Sequence, residues 1–556
     1  MTKPQHQIHA PSWLREHLDA IPPPAIPTYA FLTKLGESTL TAKIKYVEEY
    51  NMNVPARLRK RIPDKLDFNE IAVIYQHVFI FRFIWTSAHS KDGVLGVYVP
   101  SSTDIWEDSG LLEDSTGIYS TNETFHRHLA KIISPTIRPR DIEDVLDYVE
   151  SFAPKVHITI NSHLFPVNNG IYNQLTKQLE PFSPKYVYLT KIRSDYNPQA
   201  TNPVIQNSDG STWDVETWLN ELSVSSAVNT LLWQVIAASL QPNRGMNKSI
   251  WFYSDIGNNG KGTMGQLIKN LLGPNNYASL SVEDFKHEFK KQDLIQVAAN
   301  IADENDVEAY IDSVKDYKAS ITGDDIIINR KYKDPIRLQF RGLNIQMMNG
   351  LPKTKDKTGS FYRRIIIVPF IKSFTNNGER SYIKSDYVYR QEVLEYVLLK
   401  ALHLEFDEFI VPAESAFLLE QYKERNNPVL DFWNEMREEF AWDLIPKQFL
   451  YDLYHKWFER NNPSGKIIGQ RTFFDSLSPI IDSDGAWENH IGSDKNNIRT
   501  NNRMQADEPL ITEYGLDAPY KNGALSPWAN HQYRGTNPQK KRDFERKSKY
   551  RGIVRT

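Results

Sequence analysis

The stretch SIWFYSDIGNNGKGT, residues 249–263, decides how the chain is read. Residues 250–253 form an apolar run of the length of a buried strand. Gly257, Asn258, Asn259 and Gly260 make a glycine-rich turn, and Lys261, Gly262 and Thr263 follow it. Residues 264–272 then place apolar side chains at helical spacing. Strand, glycine loop, lysine, hydroxyl and helix, in that order, are what a phosphate-binding loop requires. Glycines let backbone N–H groups curl round phosphate oxygens with no Cβ in the way. The following helix turns its free N–H groups and dipole toward the anion. On this reading Gly257, Asn259, Gly260, Lys261, Gly262 and Thr263 cradle a nucleotide, with Lys261 on its outer phosphates and Thr263 beside Mg²⁺.

The loop departs from the usual G-x-x-x-x-G-K-[ST] at two places. Asp255 stands where the first glycine is expected, and Gly262 follows the lysine where Ser or Thr is commoner. The form G-K-G-T still carries a hydroxyl one residue later and is the version that nucleotide kinases use.

Composition sets wide bounds. At 556 residues the chain is long enough for three or four domains. A net charge of −3 neither demands nor excludes nucleic acid, so the distribution of charge decides more than its sum. There is no cysteine, which rules out disulfides and cysteine-based zinc ribbons and suits a reducing cytoplasm. No apolar signal region opens the chain, and the longest apolar stretch, residues 227–240, is too short for a bilayer, so no membrane partner is expected.

Four further motifs follow the loop. Residues 294–306, LIQVAANIADEND, read as an apolar strand ending in Asp303 and Glu304. Such a pair suits Mg²⁺ binding by Asp303 and water activation by Glu304. Residues 318–340 read as a turn and a hairpin with Arg330, Lys331, Tyr332 and Lys333 at its tip. Cations beside an aromatic ring suit a grip on a phosphate backbone, and an exposed charged turn suits the residues equally. A strand ending in Asn349 fits a group that senses the γ-phosphate or the attacking water. Arg363 and Arg364 open the last strand, placed either as an arginine finger toward a neighbouring subunit's nucleotide or as surface ion pairs.

These pieces, with Leu351-Pro352 and Pro369-Phe370, resemble the superfamily 3 helicases, a branch of the AAA+ ATPases. The likeness is to the phage and plasmid primase–helicase group that includes the poxvirus primase–helicase. Residues 163–194 resemble the domain that precedes the ATPase in that group. The resemblance implies a homo-hexameric ring that hydrolyses ATP with Mg²⁺ between subunits and translocates on single-stranded DNA, usually 3′ to 5′. It assigns Lys261, Asp303, Glu304, Asn349 and Arg363 or Arg364 to catalysis, and Lys331 and Lys333 to DNA. It implies replication of a phage or other mobile element in a bacterial cytoplasm. With so little sequence before residue 70, no primase domain is expected.

The expected architecture is multidomain, α/β and α+β. Residues 1–69 form an N-terminal segment, 70–210 an α+β domain, 211–245 a helical collar, and 246–372 a AAA+ core. Residues 373–425 are linking helices, and 426–490 resemble a winged-helix domain in which Gln470 and Arg471 open the helix facing duplex origin DNA. Residues 491–556 read as a polar, basic, flexible tail. Within the early part, His126 and His128 are expected on a helix surface. The collar reads equally as a subunit contact or as packing within the chain. Two alternatives to the helicase stay open: a non-enzymatic DNA-binding initiator with a degenerate loop, and a nucleotide kinase.

Overall fold

The computed structural model describes residues 10–89, 91–100, 105, 115–303, 305, 310–311, 313–331, 333–354, 359–374, 380–461, 467–492, 495–520, 523–537, 540–541 and 543–556. The chain divides into two compact units, Met1–Leu419 and Glu420–Thr556, built of mixed α and β structure.

In the first unit, helices Ser12–Asp19, Tyr29–Met52, Phe68–Val78, Glu123–Ile133 and Pro139–Phe152 pack with a four-stranded sheet. Phe81–Trp85 lies inside that sheet, antiparallel to Gly93–Tyr98 and parallel to Lys155–His157. Leu14, Leu32, Ile71, Val97, Phe125 and Val145 share one core. The described part of the expected N-terminal segment, residues 10–69, is therefore not separate, because its apolar faces share a core with the elements after residue 70. The helix Tyr29–Met52 approaches the end of Glu123–Ile133 so closely at Gly36 that a Cβ there would lie 2.0 Å from the Ile133 carbonyl oxygen. His126 is also not on the surface. It is 2 % exposed, its Nε2 sits 3.2 Å from the Ser120 carbonyl oxygen, and burial pushes its pKa down to about 4. His128 is half-buried. No cluster of His, Asp and Glu able to hold a metal occurs among the described residues.

A five-stranded parallel sheet organises the rest of the unit. Its strands run, edge to edge, Tyr277–Ala278, Ala299–Ala302, Leu343–Met348, Ser249–Tyr253 and Ile365–Pro369. Ser249–Tyr253 and Ile365–Pro369, buried on both faces, are near-continuous apolar runs, while the equally buried Leu343–Met348 carries Asn344 and Gln346, each hydrogen-bonded inside the core. Helix Lys261–Leu272 crosses the sheet with Met264, Leu267, Ile268, Leu271 and Leu272 buried.

The predicted collar belongs to this same core. Helices Val215–Leu222 and Ser226–Ser239 bury Trp218, Leu219, Leu222, Leu231, Leu232, Trp233 and Ile236 in the cluster that contains Ile250, Phe252 and Leu267. Packing within the chain accounts for that apolar surface. Among the described residues no single helix is long and apolar enough to cross a membrane.

The second unit contains helices Pro428–Met436, Lys447–Asn461 and Gln470–Asp484. Its three-stranded sheet has the order Leu444–Pro446, Gly552–Arg555, Trp487–His490. The central strand thus comes from the stretch read as a flexible tail, and that reading is corrected. Ile553 is fully buried, and Trp528, Phe544 and Met504 join the same core. Trp528 donates its indole N–H to Asp452 at 2.8 Å. Polar turns rich in Asn and Gly carry the chain to a strand whose partners lie more than 60 residues earlier.

Glu508 is a buried acid in this unit, 1 % exposed. Its Oε2 accepts the backbone N–H groups of Ala441 at 3.0 Å and Trp442 at 3.1 Å, while Oε1 has no hydrogen-bond partner among the described residues. Burial pushes its pKa from 4.5 up to about 7. The folded chain then holds a proton that the unfolded chain has released. Stability from this group is complete below about pH 4.5 and is lost as pH rises toward 7. Glu508→Gln keeps an acceptor and removes the charge. We expect it to raise the unfolding temperature of the protein at about pH 8 and to leave it unchanged at about pH 4.5. Equal shifts at both pH values in thermal unfolding would contradict a titrating Glu508.

Candidate functional site

In a parallel sheet all strand C-termini open on one edge, and the predicted groups from three neighbouring strands meet there. The glycine loop leaves Tyr253, Asp303 follows Ala302, and Asn349 follows Met348. The strand ending at Asn349 lies between the other two.

The loop conformation rests on particular residues. Gly260 has φ 84°, a left-handed backbone, and a Cβ there would lie 2.4 Å from the Leu222 side chain. Asn258 is also left-handed at φ 53°. Asn259 is buried; its amide donates to the Ile256 carbonyl, and its Oδ1 lies 3.3 Å from the Lys261 backbone N–H. Asn259 thereby closes the turn just before helix Lys261–Leu272.

Lys261 is 9 % exposed. Its ammonium donates to Asn349 Oδ1 at 2.6 Å and to Asn259 Oδ1 at 3.4 Å. No carboxylate pairs with it among the described residues. Burial pushes its pKa below the ordinary lysine value. A desolvated cation held only by amide oxygens, at a helix N-terminus, is a site that favours an anion.

A cavity of about 1050 Å³ opens over this loop. Gly257, Asn259, Gly260, Lys261, Gly262, Thr263, Asp303 and Asn349 all line it. Trp218, Leu222, Phe374 and Tyr389 supply apolar wall, and Lys372, Arg380 and Lys384 add cations from the chain after the sheet. Those three cations were not anticipated, because they are scattered through a polar stretch with no motif spacing. Lys269 was missed too. It forms an ion pair with Asp303 and lies 5.2 Å over the Tyr277 ring. The available signal was its position on the loop helix, eight residues after Lys261 and so on nearly the same face. Glu304 lies outside the described residues.

Arg363 and Arg364 are not brought to this cavity. Ser249 pairs with Ile365, so both arginines precede the strand starts, at the opposite edge of the sheet. A five-residue strand separates the edges by roughly 15 Å. Arg363 is exposed, and Arg364 turns back to Ser360 Oγ at 2.8 Å.

The hairpin forms as predicted from strands Asp325–Arg330 and Lys333–Gln339, with Arg330 opposite Lys333. Its base is tied to the sheet near residue 85. Thr86 donates to the Arg337 carbonyl at 2.6 Å, and Ser87 donates to Asp325 at 2.7 Å. At the tip, Arg330 donates to the Asp334 carbonyl at 2.9 Å, and Lys333 pairs with Glu123. Lys331 lies in the turn, and Tyr332 lies outside the described residues. In the second unit, Arg471 projects from the first turn of Gln470–Asp484, 95 % exposed, 3.9 Å from Asp475.

Three family matches fall on these parts. Residues 80–223 match the family described as D5 N terminal like. Residues 424–508 match Poxvirus D5 protein-like. The chain is similar to D5 proteins on both sides of its central sheet. Between them, residues 252–364, from the loop strand to Arg364, match a family of unknown function, DUF5906. No curated protein was found to match. Among solved structures, the A form apo structure of the NrS-1 C terminal region is 12 % identical, with TM-score 0.40, covering 75 % of this chain and 95 % of that one. A second NrS-1 C terminal region structure in the A form is 11 % identical, with TM-score 0.39, covering 81 % and 95 %. Likeness at that level carries no conclusion about site or activity.

Proposed function

We propose that this D5-like chain is an ATP-dependent DNA helicase of the superfamily 3 type, acting in replication of a phage or other mobile element. One observation carries the reading. Lys261 is a buried cation without a carboxylate partner among the described residues, at a helix N-terminus, under a cavity of nucleotide size. A nucleoside triphosphate supplies the missing negative charge.

In this reading the loop N–H groups and Lys261 bind the phosphate chain. Thr263 and Asp303 are oxygen donors lining the cavity, a chemistry suited to Mg²⁺, which neutralises phosphate charge when bound. Lys269 orients the Asp303 carboxylate. Asn349, bonded to Lys261 in the structure, is the group that senses the outer phosphate in this reading, and Glu304 is the residue that activates water. Arg363 or Arg364 acts on a neighbour's nucleotide, since neither reaches its own cavity. A homo-hexameric ring supplies that neighbour.

The family matches on either side of the sheet support an AAA+ core flanked by D5-type domains. The helix, strand, two helices and two further strands of the second unit support a winged-helix reading, with Arg471 exposed to meet duplex DNA. The hairpin grips single-stranded DNA in the channel, with 3′ to 5′ movement. Its ion pair to Glu123 is surface-exposed and so weak enough to exchange for phosphate.

Replacing Lys331 and Lys333 together with alanine is expected to reduce strand displacement about tenfold or more, with a smaller salt dependence of DNA binding. A fluorescent forked-duplex assay measures it. Unwinding at the wild-type rate would remove the hairpin from the mechanism.

A further inference from the structure

Resting on the nucleotide reading of this cavity, we infer that Lys384 is a second phosphate-binding cation, set over the bare backbone of Gly262. Lys384 sits on the short helix Ser381–Ser385, after the last strand of the sheet. Its ammonium lies at the loop: among the described residues outside the helix's own backbone, a Cβ built on Gly262 would meet Lys384 Nζ at 3.5 Å. Both residues line the same cavity as Lys261. Lys384 is exposed and has no ion pair among the described residues. Arg380, on the same segment, is 3.8 Å from Glu221, so its charge is already partly answered.

Where Ser or Thr commonly follows the lysine, this chain has no side chain at all. A Cβ there would rest in ordinary van der Waals contact with the ammonium. With glycine at 262, the ammonium rests over bare backbone at the first turn of the loop helix. That turn is where free N–H groups converge on an anion. Lys261 approaches the phosphates from within the fold, bonded to Asn349 and Asn259. Lys384 approaches from the solvent side, on chain that follows the sheet. Two ammonium groups on opposite sides share the charge of a triphosphate better than one. The second also ties the segment carrying Ser381–Ser385 to the presence of nucleotide.

The occupant is the phosphate chain of a nucleoside triphosphate, not the base, because the contact lies at the loop rather than at the apolar wall of Trp218 and Phe374. The test is titration of the full chain with a fluorescent ATP analogue and Mg²⁺, for the wild type, Lys384→Ala, Lys384→Arg and Lys261→Ala. Lys384 is exposed, so its truncation leaves the core intact, and thermal unfolding checks this. Lys384→Ala is expected to weaken binding about tenfold, the loss of one charge-assisted hydrogen bond. Lys384→Arg, which keeps the charge, should recover most of it. Wild-type affinity in Lys384→Ala, with binding lost in Lys261→Ala, would overturn the role of Lys384 and leave the nucleotide site standing. Equal weakening in the alanine and arginine variants would also overturn it. Absence of binding in the wild type would overturn the nucleotide reading itself.

Discussion

Lys261→Ala is expected to lower ATP turnover by at least about 100-fold while the chain stays folded. The size of the effect follows from where the ammonium lies. It is almost fully buried, beside the first turn of a helix, with two amide oxygens as its partners. Its desolvation has already been met in folding, so little reorganisation remains when a phosphate arrives. Alanine removes that charge and leaves Asn349 Oδ1 without its donor. The surrounding core, Met264, Leu267 and Ile268 against the parallel sheet, does not depend on the ammonium. Circular dichroism and the unfolding temperature should therefore remain close to wild type. Turnover within a few-fold of wild type would show that the cavity is not where phosphate is bound.

The second large effect is structural. Deleting residues 549–556 is expected to abolish the cooperative unfolding of the unit Glu420–Thr556. Gly552–Arg555 is the middle strand of its sheet, pairing with Leu444–Pro446 on one side and Trp487–His490 on the other. Ile553 is fully buried and Val554 is 6 % exposed. Two such side chains contribute about 3–6 kcal/mol by burial alone, before the ladder hydrogen bonds on both sides are counted. A domain of this size has roughly 5–15 kcal/mol in total. Gly552→Val is the milder form of the same test, since a Cβ there would lie 2.0 Å from the Ile445 carbonyl oxygen. Near-ultraviolet circular dichroism reports on Trp433, Trp442, Trp457, Trp487 and Trp528, all buried in this unit. An unchanged signal and transition after the deletion would return these residues to the status of a tail.

The contrast between these two sites shows what the sequence made legible. The glycine loop was readable because its determinants are contiguous. Gly260 carries the left-handed turn, Asn259 closes it, and the apolar residues of the helix follow at fixed spacing. The hairpin was readable for the same reason, as its two strands are separated by only two residues. Asp303 and Asn349 were legible as polar groups ending apolar strands, the positions that a parallel sheet gathers on one edge.

The misreadings all involve distance along the chain. Residues 549–556 look like a basic tail because the strands that bury them lie at 444–446 and 487–490. The boundary at residue 69 does not hold because Leu14 and Leu32 share a core with helices that begin at residue 68 and later. The tryptophan-bearing helices after residue 211 left subunit contact and packing within the chain equally open, because their cover, the loop strand and helix, is not visible in periodicity. Lys384 and Lys269 belong to the same class. A single lysine carries no spacing signal, and only the fold brings one to Gly262 and the other to Asp303. The arginines at 363 and 364 were correctly marked as the start of a buried strand. What the register adds is that a strand start lies on the opposite edge of the sheet from the cavity.

In the proposed function the cavity above Lys261 couples ATP hydrolysis to single-stranded DNA. The most direct measurement is steady-state phosphate release by the full chain, with and without single-stranded DNA, beside Lys261→Ala. The account predicts turnover that rises on adding DNA and disappears in the variant. Turnover that ignores DNA, or that survives the loss of Lys261, would contradict it.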